Sequence, residues 1–238
     1  MALPKLETPT YQTTIPSSGK LIDYRPFLVK EEKILMMAQE SQDPAQAMVA
    51  LKRIIKACTF DKINPNELTT YDAEFLFLQL RIKSVGETAE FQLPCRGCNE
   101  MQDVKVDLTE VEVAVPEEKP ESNIKLSDDV GIILKELTLN DAVGLTGKDM
   151  DDISSLVSLV IDSIYDEEKV YKADSVSKKE LAEFVDQLNH TQLQKIQTFI
   201  SAQPAIQKTI AFGCNNKKAG CDGCKTEVTM RGLADFFA

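Results

Sequence analysis

Apolar and polar positions alternate near the start of the chain. Tyr11-Gln12-Thr13-Thr14-Ile15 and Lys20-Leu21-Ile22-Asp23-Tyr24 flank Pro16-Ser17-Ser18-Gly19. A period of two on either side of a Pro/Ser/Gly turn predicts a β-hairpin. Arg25-Pro26-Phe27 then breaks the pattern. From Lys30 to Glu40 the period becomes helical, with Ile34, Leu35, Met37 and Ala38 on one stripe. Pro44 suits the first position of a second helix with Asp43 as its N-cap, and Met48, Leu51, Ile54, Ile55 and Cys58 line its apolar face. Asn64-Pro65-Asn66-Glu67 reads as the start of a third. That helix is rich in Phe and Leu from Tyr71 to Ile82, so it is expected to be the most buried.

Strand patterns return at Thr88 to Leu93 and Met101 to Leu108, and a further strand is expected around Val130 to Leu137. Residues 114–123 are acidic and proline-bearing, the composition of a linker or exposed loop. Asp151 to Tyr165 places Ile153, Leu156, Val157, Val160, Ile161 and Ile164 on one helical face. Ser177-Lys178-Lys179-Glu180 and Thr191-Gln192-Leu193-Gln194 fit the capping box and should open two short helices, ending near Leu188 and Ile200. Strands at Gln207 to Phe212 and Lys225 to Met230 close the chain around a cysteine-bearing loop. The class is α+β, with β-hairpins grouped with helical segments. Three regions are expected: residues 1–86, a hairpin plus helices; residues 87–113 with 205–238, cysteine-bearing hairpins; and residues 124–204, mainly helical.

Composition narrows what such a chain can do. Its 238 residues suffice for one large domain or two small ones, and 43% hydrophobic with 27% charged residues is a globular balance. A formal net charge of −11 disfavours phosphate backbones and anionic membrane surfaces as partners. The first residues lack the apolar run of a signal peptide, and no stretch approaches the ~20 apolar residues of a spanning helix. A cytoplasmic location follows as the expectation. There thiols stay reduced, so the six cysteines suggest metal ligands or free thiols before disulfides.

The sharpest chemistry lies in Cys95-Arg96-Gly97-Cys98 and Cys221-Asp222-Gly223-Cys224. Each pair sits between two predicted strands. Two intervening residues let both thiolates reach one ion, and glycine lets backbone amides turn toward sulfur. Two such hairpins facing each other would make a zinc-ribbon-like site with Cys95, Cys98, Cys221 and Cys224 as ligands to a structural zinc. Cys214 competes as a ligand, because it ends the strand entering the second loop. The alternatives are unmetallated thiols and a thioredoxin-like redox pair; neither pair opens a helix after a buried strand, which counts against the latter. Cys58 lies on the apolar stripe of its helix, as a core residue would.

Other motifs have plainer readings. Gly144-Leu145-Thr146-Gly147-Lys148-Asp149 has glycines too close for a phosphate loop and lacks its Ser/Thr. Asp149, Asp151 and Asp152 lack the spacing and glycine of a calcium loop and suit a first helical turn. His190, the single histidine, sits beside a helix start. Lys217 and Lys218 are too few for a nucleic-acid patch. No catalytic constellation is legible, so the expectation is a non-enzymatic binding protein.

Two stretches carry a resemblance. One is Ile15-Pro16-Ser17-Ser18-Gly19-Lys20 through Tyr24-Arg25-Pro26-Phe27-Leu28-Val29-Lys30-Glu31-Glu32-Lys33, together with Phe75 to Glu87. The other is the C-terminal Gly232-Leu233-Ala234-Asp235-Phe236-Phe237. They resemble the baseplate hub and hub-assembly family of T-even-type, contractile-tailed bacteriophages. The resemblance implies a non-enzymatic structural or assembly role in the tail baseplate hub. It implies other hub proteins, or the tape-measure protein, as partners. The implied location is the host cytoplasm during assembly, and the virion tail if the protein is a structural component. Members often carry a cysteine knuckle before the terminal segment; here Cys214 is followed by Asn-Asn-Lys-Lys-Ala-Gly before Cys221, which leaves open which of these cysteines bind metal. Arg25, Phe27, Phe236 and Phe237 are the candidate partner-binding residues. Arg25 is expected to pair with an acid and Phe27 to staple the core, while the Phe236-Phe237 pair reads equally as core or as an exposed anchor. An assembly chaperone that leaves before maturation is the alternative reading, and a zinc-containing nucleic-acid module is the third.

Overall fold

The computed structural model describes residues 6–118, 120–143, 153–214, 221 and 224–237. Strands β1 (Tyr11–Thr14) and β2 (Leu21–Tyr24) pair antiparallel, Tyr11 opposite Tyr24. Their turn closes through Gly19 at φ +66°, a left-handed conformation in which a side chain would be strained. Helices α1 (Val29–Ser41), α2 (Pro44–Cys58) and α3 (Thr70–Ser84) follow. As the sequence suggests, Asp43 caps α2, accepting the Ala45 N–H at 2.9 Å.

The third helix starts later than expected. Asn64 accepts from the Asn66 N–H and donates its side-chain amide to Glu67, which makes a local turn instead of a cap. Thr69 is the N-cap, accepting from the Asp72 N–H. This frees Asp72 to accept from the backbone and hydroxyl of Ser17, which tacks the first hairpin to α3.

A second hairpin, β3 (Thr88–Pro94) and β4 (Met101–Asp107), pairs along its whole length. Then come β5 (Glu112–Ala114), β6 (Asn123–Lys125), β7 (Gly131–Leu134), α4 (Leu139–Val143), α5 (Ile153–Val160), β8 (Ile161–Tyr165) and β9 (Val170–Lys172). Strands β6 to β9 form an antiparallel meander beside α5–α7, where α6 is Lys178–Val185 and α7 is His190–Ser201, while α4 packs on α2 and α3. The chain ends with β10 (Ala205–Cys214), β11 (Cys224–Arg231) and α8 (Gly232–Phe237), with β10 between β11 and β5.

Two further expectations are corrected here. The helix anticipated over Asp151 to Tyr165 stops at Val160, because Ile161, Ile164 and their neighbours pair with β7 as β8. The Lys135 N–H donates to the Val160 carbonyl at 2.8 Å, fixing the change from helix to strand. The last capping box is built on Asn189 with Gln192, two residues before Thr191, and the box on Ser177 with Glu180 forms as expected.

Among the described residues three apolar cores result. In the first, Ile22 and Tyr24 meet Ile54, Ile55 and Cys58 of α2 and Leu76 and Leu80 of α3. The second lies on the opposite side of α3, where Leu78 and Ile82 meet Val104, Val106, Ile206, Ile210 and Phe236. The third is built within residues 124–200, around Ile132, Val160, Ile161, Ile196 and Phe199. Because α3 faces two cores, it is apolar on both sides and eight of its residues are buried.

Candidate metal centre

Five of the six cysteines converge at the end of the two long hairpins. The β3–β4 turn folds Cys95 to Glu100 into a knuckle: the Asn99 N–H donates to the Cys95 carbonyl at 2.8 Å, and the Cys95 N–H to the Glu100 carbonyl at 2.9 Å. Asn99 takes φ +57°, a left-handed conformation that asparagine tolerates. The turn aims the Gly97 N–H at the Cys95 sulfur, 3.4 Å away. From the other hairpin, Cys214 at the end of β10 lies opposite Cys224 at the start of β11, with Cys221 beside them.

The sulfurs of Cys95, Cys98, Cys214 and Cys221 all lie within 4.8 Å of one another. Cys95 Sγ is 3.7 Å from Cys221 Sγ and 3.2 Å from Cys224 Sγ, and Cys98 Sγ is 3.6 Å from Cys214 Sγ. In a tetrahedral thiolate site with metal–sulfur bonds of about 2.3 Å, the edges are about 3.8 Å, so the donor set fits such an ion. Cys221 and Cys224 are joined as a disulfide. A sulfur in a disulfide is not a thiolate, so that bond and ligation by Cys221 are alternatives.

The surroundings favour ionised sulfur. The Cys98 N–H, the Thr226 hydroxyl and the Gly97 N–H all donate to Cys95, and they outweigh burial in pulling its thiol down to about 7. Thr226, itself buried, also accepts from the Arg96 N–H at 3.2 Å, so one hydroxyl ties the two hairpins together. A Cβ on Gly97 would come within 2.9 Å of Cys221 Sγ, so this glycine is what allows the knuckle to close over the second loop. Cys95 and Cys214 are fully buried. Four inward sulfurs leave no coordination position for a substrate, so a metal here would hold structure.

The role of Thr226 was not legible from sequence, since nothing in a single chain marks one strand threonine as a bridge. Cys58 is a core residue, as expected, and burial pushes its thiol up to about 11. Arg25 pairs with buried Glu31, Nη2 to Oε1 at 3.0 Å. Phe27 packs on the first core, and its N–H donates to Ser84. Phe236 is 2% exposed within the second core, so of its two readings the core one holds. The side chain of Phe237 lies outside what the structure describes, as do Gly144 to Asp149, Asp151, Asp152, Lys217 and Lys218. His190 is exposed in the first turn of α7. Among the described residues no helix is long and apolar enough to cross a membrane.

A search of curated proteins and a search of solved structures each find no match. A family model described as T4 bacteriophage base plate protein matches residues 8–238, which takes in the first hairpin, all three cores and the cysteine cluster. The chain belongs to this family of T4-type phage base plate proteins.

Proposed function

We propose that this protein is a structural or assembly component of the base plate hub, acting by protein–protein binding and without catalysis. The observation that carries the reading is the family match over nearly the whole chain. A net charge of −11 adds support by disfavouring nucleic acid and anionic membranes as partners. Its partners are other hub proteins or the tape-measure protein, and its place is the virion tail. Mass spectrometry of purified tails beside assembly intermediates tests this: the chain is expected in both. Presence in intermediates alone would make it a chaperone that departs before maturation. Absence from both would reject the reading.

We also propose that the metal is zinc. A closed, buried set of cysteine sulfurs near tetrahedral spacing is what a structural zinc requires. Its role is to clamp the β3–β4 hairpin to the β10–β11 hairpin. Protein purified under reducing conditions without chelator is expected to hold about one zinc per chain.

A further inference from the structure

The zinc reading leaves five thiols for four positions, and the geometry distinguishes among them. Cys95–Cys221 at 3.7 Å and Cys98–Cys214 at 3.6 Å are near the edge length of a thiolate tetrahedron, about 3.8 Å, and these two pairs together make the mutually close group of four. Cys224 stands differently. It approaches Cys95 to 3.2 Å, shorter than an edge, and is bonded to Cys221. Cys214, its strand partner, is fully buried, whereas Cys224 is half-buried at the rim. Cys98 is half-buried as well, so it is distance and the bond to Cys221, not burial, that set Cys224 apart, while its partial exposure lets an outside reagent reach it.

We infer that Cys95, Cys98, Cys214 and Cys221 are the metal ligands, and that Cys224 is a fifth, non-ligand thiol that withdraws Cys221 from the metal by disulfide formation. The set expected from paired CxxC motifs thus changes by one member, with Cys214 in place of Cys224. The inference rests on the zinc reading. The oxidant it requires is a peroxide. Cys224 thiolate attacks one peroxide oxygen, the O–O bond breaks, and a sulfenic acid and hydroxide form. The Cys221 sulfur then attacks that of Cys224, the S–O bond breaks, and a second hydroxide leaves. The proton given up by Cys224 turns one hydroxide into water; metal-bound Cys221 carries no proton, so the other hydroxide takes one from solvent. The sulfurs lose two electrons, the peroxide gains them, and the metal keeps its charge with only Cys95, Cys98 and Cys214 attached. The clamp is therefore built to open on oxidation.

The test uses the full chain purified with reductant. Wild type and Cys224→Ser are each expected to hold about one zinc, and Cys214→Ser and Cys221→Ser to lose most of it. Cobalt substitution supplies a second readout: the sulfur-to-cobalt charge-transfer band of four thiolates should be unchanged in Cys224→Ser. Hydrogen peroxide should release zinc from wild type with loss of two titratable thiols, and from Cys224→Ser at least about tenfold more slowly. If wild type holds no zinc, the zinc reading fails and takes this inference with it. If wild type holds zinc but Cys214→Ser keeps it and Cys224→Ser loses it, the ligand assignment alone is overturned. Equal rates of release with peroxide would overturn the role given to Cys224.

Discussion

At the scale of single residues, a buried and a half-buried carboxylate behave in opposite ways. Glu31 of α1 is 3% exposed and accepts from Arg25 and from the Leu28 N–H at 2.8 Å. Burial alone would raise its pKa, but these donors outweigh it and hold the carboxyl below the usual value of 4.5. Its folded pKa is depressed, so its contribution is present above the unfolded pKa and is lost as pH falls through the folded one. Arg25→Ala should cost about 3 kcal/mol at pH 7 by urea denaturation, because it strands a buried charge, and the deficit should shrink in acid. Glu74 of α3 is the contrary case. Burial raises its pKa even though the Leu233 and Ile206 N–H groups donate to it. The folded state therefore holds its proton to higher pH than the unfolded state, and stability falls as pH rises between the two values. Glu74→Gln should raise the melting temperature at pH 7, and the gain should vanish below the unfolded pKa, near pH 4.

Elements were legible where local chemistry decided them and obscure where a neighbour did. Asp43 with Pro44, and Ser177 with Glu180, specify their helix starts within a few residues, and both form as read. The α5–β8 boundary is different. Ile153, Val157, Val160, Ile161 and Ile164 fit one helical face, and only the edge of β7, distant in sequence, turns the last two into a strand. Asn64-Pro65 has the composition of a helix start, but Asn64 bonds into its own turn and leaves that place to Thr69. The cysteine site was legible as a set of residue types. Its membership was not, because the spacing from Cys214 to Cys221 says nothing of where strand pairing sets Cys214. Capping assignments are open to direct test by denaturant melts. Ser177→Ala and Asn189→Ala should each cost about 1 kcal/mol. Thr191→Ala, expected from sequence alone to be a cap mutant, should cost less than about 0.5 kcal/mol.

For the whole molecule, the cysteine cluster joins points 126 residues apart in the chain, Cys95 and Cys221. A cross-link over so long a loop removes much freedom from the unfolded chain; for a loop of 100 residues the entropic model gives about 4.7 kcal/mol. On the zinc reading, treatment with a strong chelator under reducing conditions should therefore lower the melting temperature. Amide exchange in β3 and β4 should rise more than in β6–β9, whose core is separate. Equal changes across all strands would mean that the metal does not act through the two hairpins.

The pairing of β5 with β10 has a consequence for modularity. Ala114 lies directly opposite Ala205, so the chain departs for residues 115–204 and comes back about 5 Å from where it left. The third core is wholly inside that excursion, and among the described residues Leu139 is the one buried side chain it lends to the first core. The excursion is therefore an insert spliced into a hairpin. Joining Ala114 to Ala205 through Asn-Gly, the natural two-residue hairpin turn, should yield a shorter chain that still folds and keeps its cysteine cluster. Losing Leu139 should lower its stability by about 2–5 kcal/mol, as measured by urea denaturation. A baseplate lineage could thus lengthen, trade or discard the insert at a single genetic seam while the cysteine cluster at the far end of β10 stays intact.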